Sequence, residues 1–114
     1  MITIYHNNRC SKSRSGLEIL KNSGQEFEII NYLESVPDSA ELKKIINLLN
    51  INPIDLIRKS EAIWKENYKG KTLSNTQIID AMAKYPKLIE RPIVIKGDKA
   101  VIGRPPEKIL DLIT

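Results

Sequence analysis

A helix held between two apolar strands is the feature that most restricts this chain. Ile2, Ile4 and Tyr5 begin a β-rich run that breaks at the polar tetrapeptide His6-Asn7-Asn8-Arg9. A helical stretch follows from about Ser11 to Ser23, with Gly16, Leu17 and Leu20 at helical spacing and Gly24 placed to close it in a left-handed cap. Phe27-Glu28-Ile29-Ile30-Asn31-Tyr32 then reads as a second strand. A helix between two strands returns the chain to its starting end, so the strands run parallel as a βαβ unit.

The middle of the chain reads as helical. Asp38 and Glu41 make a capping-box-like start after Pro37, and Leu42, Ile45, Ile46 and Leu49 mark one buried face. Asn52-Pro53 opens a short helix carrying Ile54, Leu56 and Ile57. Ser74 with Gln77 is a second capping box, leading a helix with Ile78, Ile79 and Met82 on its apolar side. Between these, Ser60 to Lys71 is polar apart from Ala62, Ile63, Trp64 and Tyr68, and is expected to be irregular or weakly helical. Pro92-Ile93-Val94-Ile95 and Ala100-Val101-Ile102 are two short strands, with Gly97-Asp98 as a two-residue hairpin turn. Pro105-Pro106-Glu107 starts a last helix whose Ile109, Leu110 and Ile113 face inward.

The order β-α-β, several helices, β-β, α predicts an α/β protein of thioredoxin-like fold. Its helical insertion lies between the β-α-β and β-β-α halves. A chain of 114 residues fits one such domain, residues 1–114, and leaves no room for a second core. No apolar run approaches the roughly 20 residues of a membrane-spanning helix, so no membrane role is expected. The strand-like opening Met1-Ile2-Thr3-Ile4-Tyr5 lacks the regions of a signal peptide, and a cytoplasmic protein is expected.

The formal net charge is +4. Its lysines are scattered and no basic-aromatic stacking motif emerges, so no nucleic-acid partner is expected. One cysteine cannot form an internal disulfide, and one His with one Cys cannot build a zinc site, so no metal is expected. Redox chemistry here must be intermolecular.

That cysteine, Cys10, falls where the first strand ends and the first helix begins. Unpaired backbone N–H groups and the helix macrodipole stabilise an anion there, so a thiol ionises more readily. Arg9, Lys12 and Arg14 add positive charge, and His6, when protonated, would also bias the sulfur toward thiolate. A free cysteine is otherwise often a small buried hydrophobe, and position and charged neighbours argue against that here. Ser13 stands where a dithiol enzyme would carry its second cysteine, which points to one thiol resolved by an outside thiol such as glutathione. Arg91-Pro92 precedes the third strand, where this fold commonly carries a cis-proline beside the cysteine.

These residues resemble the glutaredoxin-coupled arsenate reductases, thioredoxin-like proteins related to the Spx regulators. The opening Ile2-Thr3-Ile4-Tyr5-His6-Asn7 with Cys10 shortly after looks like that family's active-site strand and loop. So do Asn31-Tyr32-Leu33-Glu34, Leu56-Ile57-Arg58-Lys59, Glu90-Arg91-Pro92-Ile93-Val94 and Arg104-Pro105-Pro106-Glu107. Five segments in order over essentially the whole chain are a specific signal. The resemblance implies that a thiolate attacks arsenate or a similar oxyanion, and that glutathione and glutaredoxin complete reduction to arsenite without a bound cofactor. Cys10 matches the nucleophile, His6 the histidine thought to favour the thiolate, and Arg58, Arg91 and Arg104 the three arginines that hold the oxyanion. Planar guanidinium groups suit such a ligand because they bind its oxygens in pairs.

The loop departs from the family in detail. Its reductases commonly carry Asn-Pro before the cysteine and Gly-Thr-Ser after it, where this chain has Asn7-Asn8-Arg9 and Ser11-Lys12-Ser13. Two other functions are therefore weighed beside arsenate reduction. One is a related glutathione-dependent thiol oxidoreductase acting on another substrate. The other is an Spx-like regulator binding RNA polymerase, which ranks last because such regulators usually carry the Cys-x-x-Cys switch that Ser13 removes.

Overall fold

The computed structural model describes residues 1–114. Four strands, β1 (Ile2–His6), β2 (Phe27–Asn31), β3 (Ile93–Lys96) and β4 (Lys99–Ile102), form one sheet in the order β2-β1-β3-β4. The parallel pairing expected of the first two strands is present, with Ile2 opposite Phe27 and His6 opposite Asn31. β3 runs antiparallel to β1, and β4 antiparallel to β3 with Lys96 opposite Lys99 across the hairpin. Gly97 supplies the positive φ of 62° that this tight turn requires.

Helix α1 (Ser11–Asn22) makes the crossover from β1 to β2, and α2 (Ser39–Leu49), α3 (Ala62–Asn67), α4 (Asn75–Lys84) and α5 (Lys108–Ile113) complete the helical content. The result is the thioredoxin-like connectivity expected from the sequence. By packing, the chain divides into two compact units, one formed by Met1–Ser35 with Arg91–Thr114 and the other by Val36–Glu90.

The first unit holds the sheet, α1 and α5. Ile2 and Ile4 of β1, Val94 of β3, Leu20 of α1, and Ile109 and Ile113 of α5 make its buried apolar cluster. Alternate residues of a strand share a face, so Ile2 and Ile4 project together into this cluster. Two glycines set how closely its parts approach. A Cβ on Gly16 would lie 2.8 Å from Ile109 Cδ1 and 2.9 Å from Pro92 Cγ; on Gly103 it would meet the same two atoms at 2.9 Å. The spacing of Gly16 with Leu17 and Leu20 signals the helix, but this close approach is visible only in the fold.

The second unit is the helical insertion. α4 packs against α2 and against the two 3-10 helical turns Pro53–Leu56 and Pro86–Leu88. Leu42, Ile45 and Ile46 of α2 are buried, as are Ile78, Ile79 and Met82 of α4. Both expected N-caps form: Asp38 accepts the Glu41 N–H at 2.8 Å, and Ser74 and Gln77 exchange bonds of 3.2 and 2.9 Å.

Three elements are sharpened by the structure. The segment expected to be irregular or weakly helical contains the short helix α3, beside which Trp64 and Tyr68, one turn apart, stack with ring centroids 5.5 Å apart. The short helix expected from Asn52-Pro53 is a single 3-10 turn. The last helix becomes regular only at Lys108, because the preceding turn closes by i to i+3 bonds from Lys108 and Ile109 to Pro105 and Pro106. No helix is long and apolar enough to cross a membrane.

Candidate active site

His6 ends β1, and the chain then turns through Asn7, Asn8 and Arg9 into α1. The turn is held by its own polar groups. Asn7 accepts the Cys10 N–H on its carbonyl oxygen at 3.0 Å and the Arg9 N–H on Oδ1 at 3.0 Å. Arg14 reaches back from α1 to donate to the Asn8 carbonyl at 3.0 Å. Cys10 itself is the N-cap of α1, with extended backbone (φ −96°, ψ 123°) that hands its carbonyl to the Arg14 N–H.

The expectation that Cys10 opens a helix is therefore met, and the residue is half-buried. Burial by itself pushes the thiol up. The backbone N–H groups of Ser13 and Lys12, and then the positive charges of Arg104 and Arg91, outweigh it and hold Cys10 below the ordinary cysteine value. Helix-terminal dipoles and guanidinium groups thus act together on one sulfur. No group of three or more His, Cys, Asp or Glu side chains gathers to hold a metal ion.

One of the three candidate arginines, Arg104, meets the thiol, and Arg91 adds its charge. Arg104 Nη2 lies 3.5 Å from Cys10 Sγ, and its Nε donates to the Arg91 carbonyl at 2.8 Å. Arg91 is a buried charged residue, only 6% exposed. The Arg91–Pro92 bond, whose isomer the sequence leaves open, is cis, and the Arg104–Pro105 bond is cis as well. Gly103 N–H donates to the Pro92 carbonyl at 2.8 Å, tying the backbones of the two arginine segments together.

Arg58 belongs to the second unit, just after the bridge between Ile57 and Ile89. Its N–H donates to the Leu88 carbonyl at 2.7 Å, and its Nε pairs with Glu61 Oε1 at 3.4 Å. Nη1 of the same side chain is buried with no hydrogen-bond partner. A guanidinium with a buried, uncommitted N–H is suited to take an anion.

His6 is buried, and its ring is hydrogen-bonded within the turn. Nδ1 is 2.7 Å from Ser13 Oγ and Nε2 is 3.3 Å from Asn8 Oδ1. Ser13 Oγ also accepts the Asn7 N–H at 3.0 Å. In the sequence Ser13 registers only as a missing second cysteine. The available signal was its placement on the first turn of a helix, three residues after an N-cap, where a side chain can reach back toward the preceding loop.

The sequence is similar to known proteins along nearly its whole length. The profile of the ArsC family matches residues 5–112. The chain is 46% identical to the uncharacterized protein YfgD of Escherichia coli K12, over 98% of this chain and 96% of that one. It is 41% identical to an arsenate reductase of Neisseria meningitidis serogroup A, over 95% of this chain and 94% of that one. Among solved structures, an arsenate reductase from Vibrio cholerae superposes with a TM-score of 0.94 at 43% identity, covering 98% of this chain and 97% of that one.

Proposed function

The chain belongs to the ArsC family, and on that premise we propose that it is an arsenate reductase with Cys10 as nucleophile and an external thiol as reductant. The observation that carries the proposal is a thiol at the N-cap of α1 with the Arg104 guanidinium 3.5 Å from its sulfur. Such a site both favours the thiolate and attracts a tetrahedral oxyanion to it.

The chemistry follows from those positions. The Cys10 thiolate attacks arsenic(V), an As–S bond forms, and one arsenate oxygen leaves as water after protonation. The thiolate of a glutathione molecule then attacks the Cys10 sulfur. The As–S electron pair passes to arsenic, releasing arsenite, and the two sulfurs are left as a mixed disulfide. The balance is one arsenic acid, one Cys10 thiol and one glutathione thiol giving arsenous acid, a Cys10–glutathione disulfide and water. A second thiol, supplied by glutaredoxin, attacks the glutathione sulfur and frees Cys10 by exchange. With one cysteine in the sequence, this resolving step must be intermolecular.

Arg91 and Arg104 hold the oxyanion beside the sulfur in this reading. Arg58 is assigned to the same substrate on its sequence segment and on its buried, uncommitted Nη1. His6 supports the thiolate side of the site. Residues 1–114 act as one functional domain, and a reducing compartment such as the cytoplasm suits a protein that must regain its free thiol.

The test is reduction of arsenate to arsenite by the purified protein, with glutathione and glutaredoxin and with each omitted. Turnover that needs both thiol sources and disappears in Cys10→Ser is expected. A wild-type protein that forms a glutathione adduct at Cys10 yet leaves arsenate untouched would move the assignment to a thiol oxidoreductase of another substrate.

A further inference from the structure

We infer that Ser13 is a positioning residue of this site: its hydroxyl locks the first turn of α1 onto the end of β1, so that the helix N-terminus stays aimed at Cys10 Sγ. The inference rests on the reading of Cys10 as nucleophile and concerns how its environment is held.

Ser13 is fully buried, and its position three residues after the N-cap is the one from which a side chain ordinarily reaches back to the cap's own N–H. Here that N–H is already taken by the Asn7 carbonyl. The Ser13 hydroxyl reaches further, to the Asn7 N–H at 3.0 Å and to His6 Nδ1 at 2.7 Å. Asn7 is thereby gripped at both ends of its peptide, by Cys10 on the carbonyl and by Ser13 on the N–H. The loop around the sulfur becomes a closed ring of hydrogen bonds with His6 as its anchor in the sheet.

The other ring nitrogen, Nε2, lies 3.3 Å from Asn8 Oδ1, so both ring nitrogens are engaged by the loop and the first turn of α1. Ser13 Oγ accepts from the Asn7 N–H and is hydrogen-bonded to Nδ1 of the ring, so one hydroxyl joins the loop to the end of β1. Deleting the hydroxyl strands a buried N–H and a buried ring nitrogen, and regaining partners for them requires the turn to move. The groups of that turn are the ones that act on the sulfur: the Ser13 and Lys12 N–H groups. Arg104 and Arg91, the charged groups that also act on Cys10, reach it from a different part of the chain. Their effect should survive loss of the hydroxyl. His6 accordingly influences the thiol through Ser13.

The test is the pH dependence of Cys10 alkylation by iodoacetamide, without arsenate, in a double-mutant cycle of Ser13→Ala and His6→Phe, with folding followed by circular dichroism. Ser13→Ala should raise the pH midpoint and slow alkylation at neutral pH about three- to tenfold, the range set by one or two lost neutral hydrogen bonds. His6→Phe should shift the midpoint the same way and add little in the Ser13→Ala background. A folded Ser13→Ala protein with an unchanged midpoint, or fully additive effects, would overturn the inference. If Ser13→Ala does not fold, an unchanged midpoint in His6→Phe overturns it and a raised midpoint supports it. A wild-type thiol that reacts only as ordinary cysteine does would count instead against Cys10 as the nucleophile.

Discussion

Nη2 of Arg104 lies 3.5 Å from Sγ of Cys10, although the two residues are 94 positions apart in the chain. The same guanidinium is oriented by its Nε, which donates to the Arg91 carbonyl at 2.8 Å. One planar group thus uses one edge for its own placement and another for the sulfur. Lysine has the charge but no second donor held at a fixed angle. Arg104→Lys is expected to lower kcat/KM for arsenate about ten- to a hundredfold, the worth of one charge-assisted hydrogen bond. Steady-state kinetics with saturating thiols would reveal it, and wild-type kinetics in the lysine variant would remove this bond from the site.

The thiol's ionisation gives a second prediction. The Ser13 and Lys12 N–H groups and the two arginines outweigh burial, so Cys10 titrates below the ordinary cysteine value of about 8.5. Alkylation by iodoacetamide should reach its plateau at lower pH in the native protein than in a denatured control. Stability follows with a definite sign. A native value below the unfolded one means that the unfolded chain binds more protons between the two. The contribution is therefore fully present above the unfolded value and is lost as pH falls through the native one. The stability difference between wild type and Cys10→Ala should shift in favour of wild type as pH rises across that window. A flat difference across the window would contradict the lowered value.

Gly16 is the third point of test. Alanine in a helix is favoured over glycine by up to about 1 kcal/mol. Here the added Cβ would sit 2.8 Å from Ile109 Cδ1 and 2.9 Å from Pro92 Cγ. The isoleucine methyl can give way, but the proline ring cannot. Overpacking at such a contact costs about 1–3 kcal/mol, so the clash exceeds the propensity gain. Gly16→Ala should lower stability in urea unfolding and reduce activity as well, because Pro92 directly follows Arg91. A more stable Gly16→Ala protein would show that the contact relaxes freely.

Much of this fold was legible because local chemistry and tertiary structure agree. The parallel pairing of β1 and β2 follows from a helix closed at Gly24, and the hairpin follows from Gly97-Asp98. The two capping residues, Asp38 and Ser74, start their helices where expected. Cys10 was legible for the same reason, since a helix N-terminus can be read from the chain. What could not be read was the use of groups whose partners are set by the turn of the backbone. His6 lies four residues from Cys10, yet its ring is spent on Ser13 and Asn8. Periodicity reports which face a residue occupies and says nothing of which hydroxyl it will meet. The short helix at Ala62–Asn67 is only weakly legible because its support is an aromatic stack in a polar stretch rather than an apolar stripe. The second cis bond, at Arg104–Pro105, carries no local signature beyond the proline itself.

The helical insertion permits a prediction about stability apart from chemistry. Ser74 Oγ accepts the Gln77 N–H at 3.2 Å, and Gln77 Oε1 accepts the Ser74 N–H at 2.9 Å, so the pair closes the start of α4 reciprocally. α4 is the element on which α2 and both 3-10 turns pack. Its first turn is exposed, and water can replace part of what the hydroxyl supplies, so the loss should be moderate. Ser74→Ala is expected to cost about 1 kcal/mol in urea unfolding, the usual worth of a serine N-cap. Ser74→Asp should recover most of it, because a carboxylate accepts the same bond and favours the positive end of the helix dipole. Neither variant should alter the pH midpoint of Cys10 alkylation, which depends on groups of the other unit. A shifted midpoint in Ser74→Ala would mean that the insertion governs the thiol's environment, and the division of labour between the caps and the site would have to be redrawn.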